Sequence, residues 1–233
     1  MPATRSTTSD PAPAPFGGWP PEAFEFFEGL QADNSKAYWT AHKATYEEDV
    51  RAPLQALADE VRGEVGELRI FRPYRDVRFS KDKAPYKTGA AAAGELEGGS
   101  LVYVVLSARG LFVSSGHYRP ATDQLERFRA AVAADRSGAA LEAVVTSLRK
   151  AGYDIGGQAL KVAPRGFPRD HPRVELLRHK GVTAGRTFAP AKWLGTAKAK
   201  DRVLDTWRGA APLHEWLDRH VGPSTLPPED PDR

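Results

Sequence analysis

The sequence contains no cysteine and a single methionine among 233 residues. The absence of cysteine excludes disulfides, thiolate nucleophiles and Cys-ligated zinc or iron–sulfur sites. No apolar run approaches the ~20 residues that a membrane-spanning helix needs. Residues 1–15 also lack the apolar core of a signal peptide. The sequence therefore predicts a cytoplasmic protein that has no membrane partner.

Several motifs of catalysis and nucleotide binding are missing as well. The sequence has no G-x-S-x-G, G-x-x-x-x-G-K-[ST] or G-x-G-x-x-G pattern. Its six histidines show no H-x-x-x-H or H-E-x-x-H spacing. A magnesium site would need surplus carboxylate, and positive charge surrounds the possible ligands Asp76, Asp82, Glu95 and Glu97. We expect no metal and no cofactor.

The bulk composition is that of one globular domain with two polar ends. Hydrophobic residues make up 41% of the chain and charged residues 27%, as in ordinary soluble proteins. Residues 1–18 and 223–233 are rich in proline and polar residues, which predicts disordered tails. A single domain is expected over residues 19–222.

Hydrophobic periodicity changes along the chain from helical to strand-like and back. The N-terminal third has apolar residues at helical spacing, and Leu101–Ala108 and Leu111–Ser115 predict two strands of a hairpin. Arg69–Ser80 alternates as a strand does, whereas Ser80–Gly99 is polar and glycine-rich and predicts a long connection. Helices follow Pro120. This order predicts an α+β fold in which helices pack on a central, mostly antiparallel sheet.

Positive charge is concentrated between Arg69 and Lys87, which we call the basic segment. Its surplus is five positive charges, whereas the whole chain carries a net charge of +3. Such a concentration serves an anionic partner or internal ion pairing. Arginine forks match phosphate and carboxylate oxygens, and lysines add unspecific positive potential. The predicted ligand-binding residues are Arg72, Arg75, Arg78, Ser80, Lys81, Lys83 and Lys87.

Four residues are candidates for proton transfer, stacking or orientation of the arginines. They are His42, Asp76, Asp82 and Tyr86. Residues that would support the site are Asn34, Trp39, Tyr46, Arg165 and His171. Two alternatives stay open, because Asp76 and Asp82 could lock the arginines into a structural network and His42 could be a packing residue.

Several motifs in order give the chain a resemblance to a known family. The most specific is R-D-V-R-F-S-K-D-K-A-P-Y-K at Arg75–Lys87, supported by N-S-K-A-Y-W-T-A-H-K at Asn34–Lys43. G-H-Y-R-P at Gly116–Pro120 and L-K-V-A-P-R-G-F-P-R-D-H-P at Leu160–Pro172 follow. With these motifs, about Phe24 to Leu217 resembles the bacterial and fungal proteins grouped as domain of unknown function 2461. The chain departs from the family in having Tyr38-Trp39 where a Trp-Phe pair is usual. The resemblance implies a common fold and site but supplies no reaction.

Three functions remain open from the sequence. The first is binding of a phosphorylated or otherwise anionic small molecule by the basic segment, with or without turnover. The second is non-catalytic binding of nucleic acid, with Phe71, Tyr74, Phe79 and Tyr86 stacking on bases. The third is a structural or adaptor role in which the arginines only brace the fold.

Overall fold

The computed structural model describes residues 15–78 and 81–227. The N-terminal third is helical, as predicted. A π-helix at Tyr46–Arg51 joins its last two α-helices. The α-helices are α1 (Pro21–Ala32), α2 (Lys36–Ala41), α3 (Lys43–Thr45) and α4 (Ala52–Val65).

Pro53 explains the π-helix that precedes α4. A proline lacks the N–H that would bind the carbonyl of Asp49, and its ring clashes with that carbonyl in a regular α-helix. The chain widens here, so that the N–H of Ala52 donates to the carbonyl of Glu47, five residues earlier. The wider turn carries Tyr46 and Val50, which are both buried in the core.

The central sheet has six antiparallel strands in the order β1-β2-β3-β4-β6-β5. Their bounds are β1 (Arg69–Ile70), β2 (Gly89–Glu95), β3 (Leu101–Ser107), β4 (Gly110–His117), β5 (Asp154–Gly156) and β6 (Val182–Phe188). The predicted hairpin is present as β3 and β4. The turn is formed by Ala108 and Arg109 and leads into Gly110, whose φ of 101° favours glycine. The sheet and the helices confirm the α+β prediction.

Strand β2 is the main error of the sequence-based assignment, which placed it inside a long connection. Alanine and glycine have low strand propensity, so G-A-A-A-A-G-E gave no strand signal. Packing requires the small side chains, because a Cβ at Gly94 would lie 2.7 Å from Cδ2 of Leu68. The predicted strand at Arg69–Ser80 is shorter than expected and ends at Ile70.

The C-terminal half adds a second core and further helices. The helices are α5 (Thr122–Ala133), α6 (Asp135–Lys150), α7 (Val174–Leu177), a 3-10 helix at Lys192–Gly195, α8 (Lys198–Gly209) and α9 (Ala211–His220). Side chains of α1, α4 and α8 cover one face of β2–β4 and form the larger core. Side chains of α5, α6 and α9 form the smaller core with β6. In the described part of the chain no helix is long and apolar enough to span a membrane.

Packed residues extend past both expected ends of the domain. Phe16 is buried in the larger core, and its N–H donates to Glu60 at 2.7 Å. At the other end, the N–H of Thr225 donates to Asp123 on α5 at 2.9 Å. Buried residues therefore begin upstream of Trp19, and residues past Gly222 are exposed but held by hydrogen bonds. The rest of the expected tails, residues 1–14 and 228–233, lies outside the described residues.

Candidate functional site

The basic segment folds back on itself as a two-stranded extension of the sheet edge. The N–H of Arg75 donates to Pro85 at 2.9 Å, and that of Lys87 donates to Pro73 at 2.8 Å. Ile70 pairs with Ala92, and Tyr74 pairs with Tyr86. Between these two pairs the chain advances four residues from Ile70 to Tyr74 but six residues from Tyr86 to Ala92. The extra residues form a bulge between Lys87 and Ala91, on the side opposite Pro73.

Aromatic rings fix this extension to the N-terminal helices. Tyr86 is buried and stacks on Trp39, with ring centroids 4.3 Å apart and planes 7° apart. Tyr46 packs against Trp39 from the π-helix. Burial and the nearby Tyr74 raise the pKa of Tyr86. Tyr86 therefore stays a neutral phenol at physiological pH, and its ring anchors the basic segment.

Asn34 holds the backbone of Tyr86 from both sides. Its Nδ2 donates to the Tyr86 carbonyl and its Oδ1 accepts from the Tyr86 N–H, each at 3.1 Å. Asn34 therefore plays the role of a strand partner for one residue of the basic segment.

We expect Asn34→Ala to lower the free energy of unfolding by about 1–3 kcal/mol, because two partly buried backbone groups lose their partner. The amide of Tyr86 should also exchange faster with solvent. Urea denaturation and hydrogen exchange measure both effects. Asn34→Asp, which still accepts from the Tyr86 N–H, is the control and should lose less. Unchanged exchange at Tyr86 in Asn34→Ala would rule out this role.

Arg75 and Arg78 are paired within the segment. Arg78 donates to Asp76 through both Nε and an NH2 group, the latter at 2.7 Å, and Arg75 pairs with Asp82. The hydrogen bonds from Arg78 lower the pKa of Asp76 to about 2. For Asp82 the N–H of Ala84 lowers the pKa most, followed by Arg75. These pairs are exposed and contribute little to stability, but they fix the two arginines.

The other predicted residues of the segment have less defined surroundings. Lys83 donates from Nζ to the carbonyl of Val77 at 3.0 Å, which closes the turn of the extension. Lys81 is exposed. Ser80 lies outside the described residues, as does Phe79.

Two cations of the segment, Arg69 and Lys87, lie over the ring of Phe71, and Arg72 is close enough for its charge to act on Lys87. We call Arg69, Arg72 and Lys87 the cation triad. Cζ of Arg69 lies 5.7 Å and Nζ of Lys87 5.4 Å from the ring centroid of Phe71. Burial, then the charges of Arg72 and Arg69, lower the pKa of Lys87. Within residues 15–78 and 81–227, no carboxylate lies within ion-pair distance of the triad.

Arg69 is the member of the triad that sequence reasoning did not place among the ligand residues. Its charge was part of the surplus of the basic segment. Only the pairing of β1 with β2 brings it to the same ring as Lys87. Contact across a sheet edge leaves no signal in the local sequence pattern.

No contact between described residues links His42 to the basic segment. Its ring stacks on Tyr38 at 4.0 Å, and Nδ1 donates to the carbonyl of Tyr38 at 2.9 Å. A carbonyl can only accept, which assigns the hydrogen to Nδ1. These contacts are those of a packing residue, which was the alternative considered for His42.

The loop with Arg165 and His171 belongs to the other half of the molecule. Nδ1 of His171 accepts from the backbone N–H of Arg173, and the side-chain Nε of Arg173 donates to the carbonyl of Val132 on α5. Arg165 is exposed. The loop leads through α7 into β6, whereas the basic segment extends the opposite edge of the sheet at β1. The structure does not bring these two candidates to the basic segment.

A family model described as conserved hypothetical protein (DUF2461) matches residues 22–216. The chain belongs to this family. The DUF2461 match runs from α1 into α9 and includes the whole basic segment, which confirms the resemblance read from the motifs. No curated protein and no solved structure matches the chain. Because the description of the DUF2461 family names no reaction, function has to be argued from the site.

Proposed function

We propose that this DUF2461 protein binds a phosphorylated ligand through the cation triad. The observation that carries the proposal is that Arg69, Arg72 and Lys87 lie near one another and form no ion pair in the described part of the chain. Arg72 acts on Asp76 only at longer range, where its charge adds to the hydrogen bonds from Arg78 in lowering the pKa of that carboxyl. Like charges held close together repel each other, and an anion that binds among them removes this repulsion. Arg75 and Arg78, by contrast, already hold carboxylates.

The chemistry of the triad fits phosphate better than a single carboxylate. Two guanidinium groups can each present a pair of N–H donors to oxygens, and the ammonium group of Lys87 adds a point charge. The lowered pKa of Lys87 reports partial removal from water, which strengthens electrostatic contacts to a bound anion. The paired Arg75 and Arg78 serve to shape the segment rather than to bind.

A second candidate, binding of single-stranded nucleic acid, is favoured by Tyr74. This side chain is 50% exposed although its ring packs against those of Trp39 and Tyr86. A half-exposed ring on a rigid aromatic base is a platform on which a nucleobase stacks. The same cation triad would then contact the phosphates of the strand.

The test compares thermal shifts for pyrophosphate, ATP and a ten-residue oligothymidylate. At one hundred times the Kd, a ligand adds about 2.7 kcal/mol to stability, or about 5–10 °C in Tm for a chain of this size. We expect this rise in the wild-type protein. It should disappear in the triple variant Arg69→Gln, Arg72→Gln, Lys87→Gln.

A matched control removes three exposed cations elsewhere, in Arg109→Gln, Arg136→Gln, Lys150→Gln. It should keep the full rise. If the triple variant responds as the control does, or if no probe raises the Tm of the wild type, the proposal is wrong.

Tyr74→Ala separates the two candidates. If nucleic acid is the ligand, this variant loses oligothymidylate binding, and affinity in the wild type falls with salt at a log–log slope of about −0.7 per phosphate. If a small phosphorylated molecule is the ligand, pyrophosphate and ATP bind the variant as tightly as the wild type. Oligothymidylate then binds the wild type no more tightly than ATP does.

A further inference from the structure

A cavity of about 480 Å³ lies at the Glu95 end of β2, beside the start of β3 and the end of β4. None of its lining residues belongs to the basic segment, although Arg69 of that segment pairs with Ala93 of β2. The start of α5 and residues 223–227 complete its wall. Its lining includes Glu95, Leu101, His117, Tyr118, Arg119 and Leu226.

His117 lines the cavity, but its Nε2 is closed to solvent and has no hydrogen-bond partner among the described residues. The residue as a whole is 4% exposed. Burial, followed by the charges of His214 and Arg127, lowers its pKa to about 4. The ring is therefore neutral at physiological pH.

The neighbouring His214 does not serve as that partner. Its Nε2 is hydrogen-bonded to Oγ of Ser115 on β4. Ser115 is 2% exposed and does not line the cavity. This serine–histidine pair therefore holds α9 to the sheet, and the buried hydroxyl is out of reach of a molecule in the cavity.

Two opposite charges line the cavity and have no partner in the described parts of the chain. Glu95 and Arg119 are both exposed, and neither forms an ion pair or a side-chain hydrogen bond there. The guanidinium of Arg119 lies 5.5 Å from the ring centroid of Tyr118. Apolar surface comes from Leu101 and Leu226.

The N-terminus of α5 does not turn the cavity into a simple anion site. Asp123, in the first turn, already places a carboxylate there, and it accepts from Arg127 and from the N–H of Thr225. These contacts lower the pKa of Asp123 well below its ordinary value, with the N–H of Thr225 as the largest cause. A second full negative charge would be repelled by Asp123 and Glu95.

We propose that this cavity binds a small zwitterion of the size of an amino acid or dipeptide. Arg119 binds its carboxylate and Glu95 its ammonium group. Leu101, Leu226 and Tyr118 contact its side chain. The volume lies in the range of small-molecule sites.

The wall is already in place for such a ligand. Nε2 of Gln124 donates to the carbonyl of Gly222, and Arg127 donates to that of Pro223, both at 2.8 Å. These bonds from α5 hold residues 223–227 beside the cavity. A preformed wall reduces the ordering cost of binding.

The test is calorimetric titration of the full chain with the twenty amino acids and with dileucine. Leucine is compared with 4-methylpentanoate, which lacks the amine, and with 3-methylbutylamine, which lacks the carboxylate. We expect at least one zwitterion to bind and its singly charged analogues to bind at least tenfold more weakly. A free amino acid and a peptide are told apart by whether leucine or dileucine binds more tightly.

Variants assign the two charged contacts. Arg119→Gln and Glu95→Gln should each weaken binding of the zwitterion at least tenfold, whereas Glu97→Gln, an exposed acid two residues along, should not. The triple variant of the cation triad should bind it normally, which separates this site from the proposed phosphate site. The proposal is overturned if no zwitterion of the panel binds, if 4-methylpentanoate or 3-methylbutylamine binds as tightly as leucine, or if Glu95→Gln has no effect.

Discussion

Replacing Trp39 by alanine is expected to lower the free energy of unfolding by about 3–5 kcal/mol, the range for a buried tryptophan. Trp39 is 5% exposed and packs against Phe26 and Tyr46 in the helical layer and against Tyr86 in the basic segment. Its removal leaves a cavity between these elements. The loss should be measured by urea denaturation followed by far-ultraviolet circular dichroism.

Trp39→Ala should also weaken phosphate binding although every cation is retained. The indole ring supports Tyr86, which lies next to Lys87 in the chain, so its loss frees the segment that carries the triad. Trp39→Phe keeps an aromatic ring at this position and should lose less stability and less binding. A loss below about 1 kcal/mol in Trp39→Ala, as at a surface site, would show that the stack does not anchor the segment.

The second large effect is a dependence of stability on pH that originates at His117. Its pKa is lowered to about 4 in the folded protein, and it returns to about 6.5 on unfolding. The unfolded chain therefore binds more protons between these values, so stability falls as pH decreases from 6.5 to 4. At 1.36 kcal/mol per pH unit, the loss from this residue amounts to about 3 kcal/mol.

His117→Phe isolates this contribution from that of other titrating groups. Burial also lowers the pKa of His214 and His179, whereas it raises that of Asp49 and Asp218. The plot of stability against pH for the wild type therefore adds the contributions of all these groups. The variant should lose about 3 kcal/mol less than the wild type between pH 6.5 and pH 4. Urea denaturation at several pH values measures the difference, and parallel curves would mean that His117 titrates normally in the folded state.

Local sequence signals were sufficient for the position of the basic segment and for its internal ion pairs. Asp76 and Asp82 lie close in sequence to the arginines they bind, so their pairing was foreseeable. The helices of the N-terminal third and the hairpin of β3 and β4 were also predictable from the spacing of apolar residues. These are features that residues a few positions apart determine.

Features that depend on distant residues were not predictable in the same way. Asn34 is separated by 52 residues from the Tyr86 backbone that it binds, and no local pattern reveals such a pair. The alanines of β2 become a strand only because β1 and β3 lie on either side. His42 was grouped with the segment because it shares a predicted helical face with Trp39 and Tyr46, and His171 because it lies in a polar loop. The fold keeps His171 near the opposite edge of the sheet.

The most direct test of phosphate binding at the cation triad is a titration of the isotope-labelled protein with pyrophosphate, followed by nuclear magnetic resonance. If the cation triad is the site, the side-chain Nε–H signals of Arg69 and Arg72 and the amide of Lys87 shift together and saturate at one ligand per chain. Signals of Arg75 and Arg78 should move less, because their carboxylate partners hold them. Saturable shifts that leave Arg69, Arg72 and Lys87 unchanged would contradict the account.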